Sequence, residues 1–260
     1  MNFPEFFPFS SVTSLLLFAL VFLLAGIVKG VVGLGLPTIA MALLALMMAP
    51  AEAAALLIVP SLVTNIWQIR PWRLLGPMLR RLGTMQWGIC FGTLAGAWIL
   101  GAPAGAWAVV SLGVALIGYA VWSLTGARLS IHPPTERWMG PLVGTVTGLV
   151  TAATGVFVIP AVPYLQALGL QRDELMQAMG LSFTMSTVAL AVGLYFNDRY
   201  SGAALGASVL MLAPALAGMA AGQYLRQKLS PALFRQCFLG SLVLLGLHMI
   251  ANELVANWHR

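Results

Sequence analysis

Apolar runs of about 20 residues recur along the whole chain, separated by short polar turns. At 1.5 Å per residue, such a run crosses the roughly 30 Å hydrocarbon core of a bilayer. The pattern predicts spanning helices at 53–69, 83–101, 104–124, 175–196, 200–224 and 231–252. Two other apolar regions, 13–49 and 139–168, are cut near their centres by Gly, Thr or Lys. The pieces 13–28 and 35–49 each reach only about 22–24 Å. Each interrupted region therefore reads as a hairpin of short or half helices.

The two interruptions point to an internal repeat. A shift of roughly 122 positions lays Gly33 on Gly155, Ala51-Glu52-Ala53 close to Arg172-Asp173-Glu174, Ser61 near Ser182 and Asn65 near Ser186. Each half then reads hairpin, helix, helix, helix. The expected fold is an all-α polytopic membrane protein built from two repeats. The first is 1–127 and the second 138–260, joined by a linker at 128–137. Composition agrees: of 260 residues, 60% are hydrophobic and only 8% charged, against roughly 25% charged in an ordinary soluble domain. No Lys or Arg precedes the first apolar run, so it lacks the basic start of a signal peptide and reads as a retained helix.

Charge orients the chain. Loops rich in Lys and Arg stay on the cytoplasmic side. Arg70, Arg73, Arg80 and Arg81 crowd one loop, and with it placed inside, ten of the thirteen basic residues fall inside. Arg128, Arg137, Arg172, Arg226, Lys228 and Arg235 complete that set; Arg199 and Arg260 fall outside, and Lys29 stays in the first hairpin. These arginines read chiefly as orientation determinants, with a cytoplasmic anion-gathering role as the alternative for the cluster at 70–81. With five segments per half, an odd number, the halves must be inverted. Inverted repeats with broken helices are an architecture of secondary transporters. The net charge of +6 is accounted for by these flanking residues and implies no nucleic acid.

The candidate chemistry lies in the interruptions. The first reads Lys29-Gly30-Val31-Val32-Gly33-Leu34-Gly35-Leu36-Pro37. A helix N-terminus offers free N–H groups and partial positive charge, glycine lets the backbone approach a ligand, and lysine adds a full charge. Together they favour an anion. The second interruption supplies Thr151, Thr154 and Gly155, with hydroxyls in place of the charge. Hairpins entering from opposite faces could bring these tips together near the midplane. Close helix packing by small residues, and snorkelling of Lys29 to an interface, remain open beside that reading. Ser61, Thr64, Asn65 and Gln68 recur at helical spacing and fall on one face; Ser182, Ser186 and Thr187 recur in the second half. They either line a pathway or bond between helices.

Other residues narrow the choice. Glu52, Asp173 and Glu174 sit where new helices begin and read as first-turn acids. All seven acids, Glu5, Glu52, Glu136, Asp173, Glu174, Asp198 and Glu253, lie at or near segment ends. A mid-span carboxylate, frequent in proton relays, is therefore not evident. His132, His248 and His259 are isolated, and Cys90 and Cys237 form no metal spacing. Trp72, Trp138 and Tyr200 near span ends read as interfacial anchors. No ATP-binding motif and no acid–base–metal constellation is present, which disfavours a pump or an intramembrane enzyme.

At these motifs the chain resembles the sulfite exporter TauE/SafE family, also called TSUP transporters. The resemblance rests on the glycine break followed by proline in each half: Gly30 to Pro37, and Ala153-Thr154-Gly155-Val156-Phe157-Val158-Ile159-Pro160. The stretch GVFVIPAVPYLQALGLQRDELMQAMGLSFTMSTVALA from Gly155 is the closest match. Leu34 and Leu36 interrupt the fuller glycine run of many members, and the second motif keeps one glycine. The resemblance implies a multi-pass transporter of the bacterial inner membrane. It implies a small sulfur-containing oxyanion, sulfite or an organosulfonate, as substrate, moved by export and without cofactor. The expected substrate-binding residues are Lys29, Gly30, Gly33, Gly35, Ser61, Thr64, Asn65, Thr151, Thr154, Gly155, Ser182 and Ser186. A passive anion channel and a non-transporting membrane scaffold are the competing readings.

Overall fold

The structure, a computed structural model, describes residues 12–70, 72–126, 130–228 and 230–258. Glu5, Arg128, His259 and Arg260, singled out above, lie outside the described residues. The rest is helical: α1 (Val12–Val32), α2 (Leu36–Leu44), α3 (Pro50–Gln68), α4 (Leu75–Leu100), α5 (Gly105–Thr125), α6 (Pro133–Thr154), α7 (Ala161–Ala167), α8 (Arg172–Phe196), α9 (Gly202–Leu225) and α10 (Pro231–Trp258). Among the described residues, α1, α3, α5, α8, α9 and α10 are long and apolar enough to cross a membrane. The chain is a multi-pass membrane protein.

Local sequence explains the ends. Pro sits in the first turn of α2, α3 and α6, where its missing N–H costs nothing. Glu52 lies in the first turn of α3, and Asp173 and Glu174 in that of α8, as the sequence suggested. Gln171 and Glu174 close a reciprocal capping box there. Gly155 ends α6 at φ +70° and donates its N–H to the Thr151 carbonyl, a left-handed cap that favours glycine.

The interrupted regions break later than expected. Two pieces of equal length were anticipated at 13–28 and 35–49. Instead α1 runs 21 residues, about 32 Å, and α2 only nine. Lys29 and Gly30 stay helical, and the chain turns at Gly33 and Gly35, both at positive φ. The reason lies in packing. A Cβ on Gly30 would fall 2.3 Å from the Met219 carbonyl oxygen on α9, so this glycine serves a helix contact rather than a turn. In the other half, α6 has 22 residues and α7 seven. α6 begins at Pro133, inside the segment read as a linker.

Glycine draws two helix pairs into backbone contact. On α1 and α9, Gly26, Gly30, Gly218 and Gly222 interlock; on α4 and α6, Gly88, Gly92, Gly144 and Gly148 do the same. Membrane helices associate this way because lipid supplies no hydrophobic drive, and van der Waals contact needs close backbones. The packing has a recurrent order. α1 packs on α9 as α6 packs on α4, and α3 packs on α9 as α8 packs on α4. α3 packs on α8 and α5 on α10. Replacing each of α1–α5 by the element five places later maps these contacts onto one another. α3 and α8 are the most buried spans and α5 and α10 the least. The outer surface carries large apolar side chains, with Trp87, Trp98 and Trp138 more than three-quarters exposed, as lipid requires.

A paired test follows. An added Cβ at Gly92 would sit 2.1 Å from the Thr145 carbonyl oxygen, whereas at Gly83 it meets no atom within 4 Å. Gly92→Ala is expected to destabilise by about 1–3 kcal/mol, and Gly83→Ala to stabilise by up to about 1 kcal/mol. Thermal midpoints in detergent measure both, and equal midpoints would refute the contact.

Candidate functional site

Lys29 lies in the last turn of α1 and is 5% exposed. A buried ammonium needs polar partners, and α3 supplies them. Lys29 Nζ donates to Thr64 Oγ1 at 3.1 Å and to Asn65 Oδ1. Thr64 and Asn65 follow one another in α3, one turn from its end, so both reach the same neighbour. Thr64 also donates back to the Pro60 carbonyl at 2.7 Å. Asn65 Nδ2 faces Thr187 Oγ1 of α8 at 3.5 Å, at the long limit for a hydrogen bond. An ammonium has three donors, and two are taken.

Lys29 forms part of the wall of a cleft of about 530 Å³, within the usual range for small-ligand sites. Lys29, Gly30 and Gly33 come from α1 and its turn, Thr64, Trp67, Gln68 and Arg70 from the end of α3, and Met219, Gln223, Arg226 and Gln227 from the end of α9; Met176 of α8 completes it. Three cations line this space, and among the described lining residues no carboxylate does. Gln68 Nε2 donates to the Gly33 carbonyl at 3.1 Å and so braces the turn after α1.

The Lys29 segment was expected to present a helix N-terminus. It presents a helix C-terminus: Lys29 ends α1, Arg70 follows α3 and Arg226 caps α9. Helix C-termini carry about half a negative charge and favour cations. The positive charge of the cleft therefore comes from side chains, not from N–H groups. The adjacent start of α2 is buried and carries a proline in its first turn.

The expected site residues divide. Lys29, Gly30, Gly33 and Thr64 line the cleft, and Asn65 stands behind Lys29. Gly35 packs against Val28 and Phe238 and does not line it. Ser61, Ser182 and Ser186 are buried deeper between helices. Ser182 Oγ accepts from Gln86 Nε2 at 3.0 Å, while the Ser61 and Ser186 hydroxyls are unpartnered. Thr151 donates to the Thr147 carbonyl at 2.7 Å. Thr154 donates to the Val150 carbonyl at 2.7 Å and accepts from the Val156 N–H at 3.1 Å. Gly155 packs on Met41, as Gly33 packs on Met176. Thr151, Thr154 and Gly155 are buried, outside the cleft.

Sequence reading passed over Gln223 and Gln227 and took Arg226 as an orientation determinant. Their spacing of three and four puts them on one face of the end of α9, a signal visible in the run Gln223-Tyr224-Leu225-Arg226-Gln227-Lys228. Of the four arginines at 70–81, Arg70 enters the cleft. Arg81 is instead held bidentately by Glu136, at 2.6 and 2.9 Å, and donates to the Leu168 carbonyl at 3.2 Å. Cys90 and Cys237 are free thiols, and no metal cluster occurs among the described residues.

A family description, sulfite exporter TauE/SafE, matches residues 18–249. No curated protein and no solved structure matches the chain.

The buried ammonium gives an asymmetric expectation. Lys29→Met removes the charge at similar volume and should leave the thermal midpoint unchanged or higher. Asn65→Leu strips the ammonium of a partner and should cost about 2–3 kcal/mol. Thermal unfolding of both variants in detergent checks this, and the opposite ranking would refute the burial argument.

Proposed function

Because the chain belongs to the sulfite exporter TauE/SafE family, we propose that it is a secondary transporter of a small sulfur-containing oxyanion, sulfite or an organosulfonate. Family membership makes it a membrane transporter rather than an enzyme. The finer reading is export across a bacterial inner membrane, by alternating access between two inverted halves.

The observation that carries the reading is the cleft. It collects Lys29, Arg70 and Arg226 with glutamine and threonine side chains, and no carboxylate among the described lining residues competes for them. Lys29 at its floor keeps one donor for a ligand, with Thr64 and Asn65 holding the ammonium in place. The glycine turns at Gly33 and Gly155 let each hairpin bend beside the central α3 and α8 helices. Ser61, Thr151, Thr154, Ser182 and Ser186 are further buried hydroxyls of the interior. The unpartnered hydroxyls of Ser61 and Ser186 are groups that a passing anion or water would satisfy.

The exchange of α1–α5 with α6–α10 supports two equivalent halves, which an odd number of segments in each would invert. Under it the Lys29 side of the molecule corresponds to the Thr151 side. The first carries a cleft that reaches Lys29 and Thr64; Thr151, Thr154 and Ser186 on the second are buried. A cleft that reaches the Lys29 pair from one side fits one state of an alternating-access cycle. The arginine-rich loops place the open face toward the cytoplasm.

Reconstitution into liposomes tests this. Sulfite loaded inside should drive uptake of labelled sulfite by counterflow in wild type, and Lys29→Met should reduce the rate at least about tenfold, a loss of roughly 1.4 kcal/mol. Sulfite flux without counterflow would mark a channel. Flux equal in wild type and Lys29→Met would remove Lys29 from the site.

A further inference from the structure

Among the described arginines, Arg70 and Arg226 are the two that line the cleft. Arg81 is committed to Glu136. Arg70 and Arg226 open into the same cleft as Lys29 and have no carboxylate within ion-pair distance among the described residues. Arg70 lies with its guanidinium 4.3 Å from the centre of the Trp67 ring, which orients its plane by cation–π contact. Arg226 caps α9, with Gln223 one turn before it. Both arginines open into one cleft of about 530 Å³, a size suited to a small ligand.

Guanidinium forks match oxyanions bidentately, and planar orientation by an aromatic ring reduces what must be ordered on binding. Lys29 is different in kind. It is a buried point charge, already bonded to Thr64 and Asn65, whereas Arg70 is exposed and Arg226 half-buried.

We propose that Arg70 and Arg226 form a second oxyanion site at the rim of the cleft, separate from Lys29, that captures the anion before it reaches the floor. This rests on the reading of the cleft as an anion pathway. The ligand is a compact oxyanion bearing no ammonium group. A zwitterionic sulfonate would bring a cation into a space with three positive side chains, no carboxylate among its described lining, and its one aromatic face, Trp67, already covered by Arg70.

The test uses the purified full chain in detergent, with sodium sulfite as the probe. Trp67 emission is isolated as the difference between wild type and Trp67→Phe. Sulfite should give a saturable change in wild type and also in Lys29→Met, because the rim does not need the floor. Arg226→Gln should weaken the apparent Kd at least tenfold, and Arg226→Lys should recover part of it. Sodium chloride at equal ionic strength and taurine should give no saturable change. Absence of a sulfite response in wild type overturns the rim site, as does a response that Arg226→Gln leaves unaltered. An equal response to taurine overturns the ligand class. Liposome flux separates the two readings. If Lys29→Met abolishes flux while the rim response is absent, the rim site alone fails. If Lys29→Met transports like wild type while the rim response persists, the transport role of the floor alone fails.

Discussion

An ammonium group inside a bundle of apolar helices must be surrounded by polar partners, and the centre of this molecule is arranged around that need. Lys29 of α1 reaches Thr64 and Asn65 of α3, and Asn65 in turn faces Thr187 of α8. α3 packs on α8, whereas α1 packs on α9 and α2, so it is the length of the Lys29 side chain that bridges α1 to α3. The approach of α1 to α9 provides the setting. Gly26 and Gly30 meet Gly218 and Gly222 with backbones almost touching, which fixes the depth and rotation of α1 and so aims Lys29 at α3. The glycines and the lysine of the same short segment thus serve one geometry: small residues on one face of α1, the charge on another.

The halves are equivalent in packing and unequal in chemistry. Asn65 and Thr187, which face each other, are separated by 122 residues, the same interval that superposes Gly33 on Gly155. Under that interval Lys29 becomes Thr151, a hydroxyl that turns back to its own helix, and Gln68 becomes Leu190. The cationic cleft is therefore confined to one half's side. A bilayer offers both faces the same solvent, so the difference arises from side chains alone.

Much of this was legible in the sequence. Apolar run length located α3, α5, α8 and α9 to within three residues, because only a continuous helix satisfies its backbone in lipid, whereas α4 begins eight residues before the expected 83 and α10 runs six past the expected 252. The 122-residue recurrence aligned elements that pack in equivalent ways. Lys29, Thr64 and Asn65 stood out as polar residues in apolar runs at helical spacing, and they do meet. The end of α1 was placed too early, since Gly30 reads as a breaker in isolation and only its contact with Met219 and Gly222 keeps it helical. Arg70 and Arg226 were seen as loop charges, because one-dimensional spacing cannot tell that the ends of α3 and α9 open into one cavity.

The placement of the cations has an electrostatic consequence. Each of the three lies at or just past a helix C-terminus, where carbonyl groups supply about half a negative charge. Three formal positive charges are thus offset by roughly half their sum before any ligand arrives. A cleft built from helix N-termini would add its dipoles to the cations and hold an anion tightly. Here the dipoles stabilise the charged cleft and would oppose an anion bound in it. For the proposed transporter, which must release what it captures, a shallow well is the useful one. The carbonyl ends that help hold the Lys29 charge would also limit how strongly it could retain an anion.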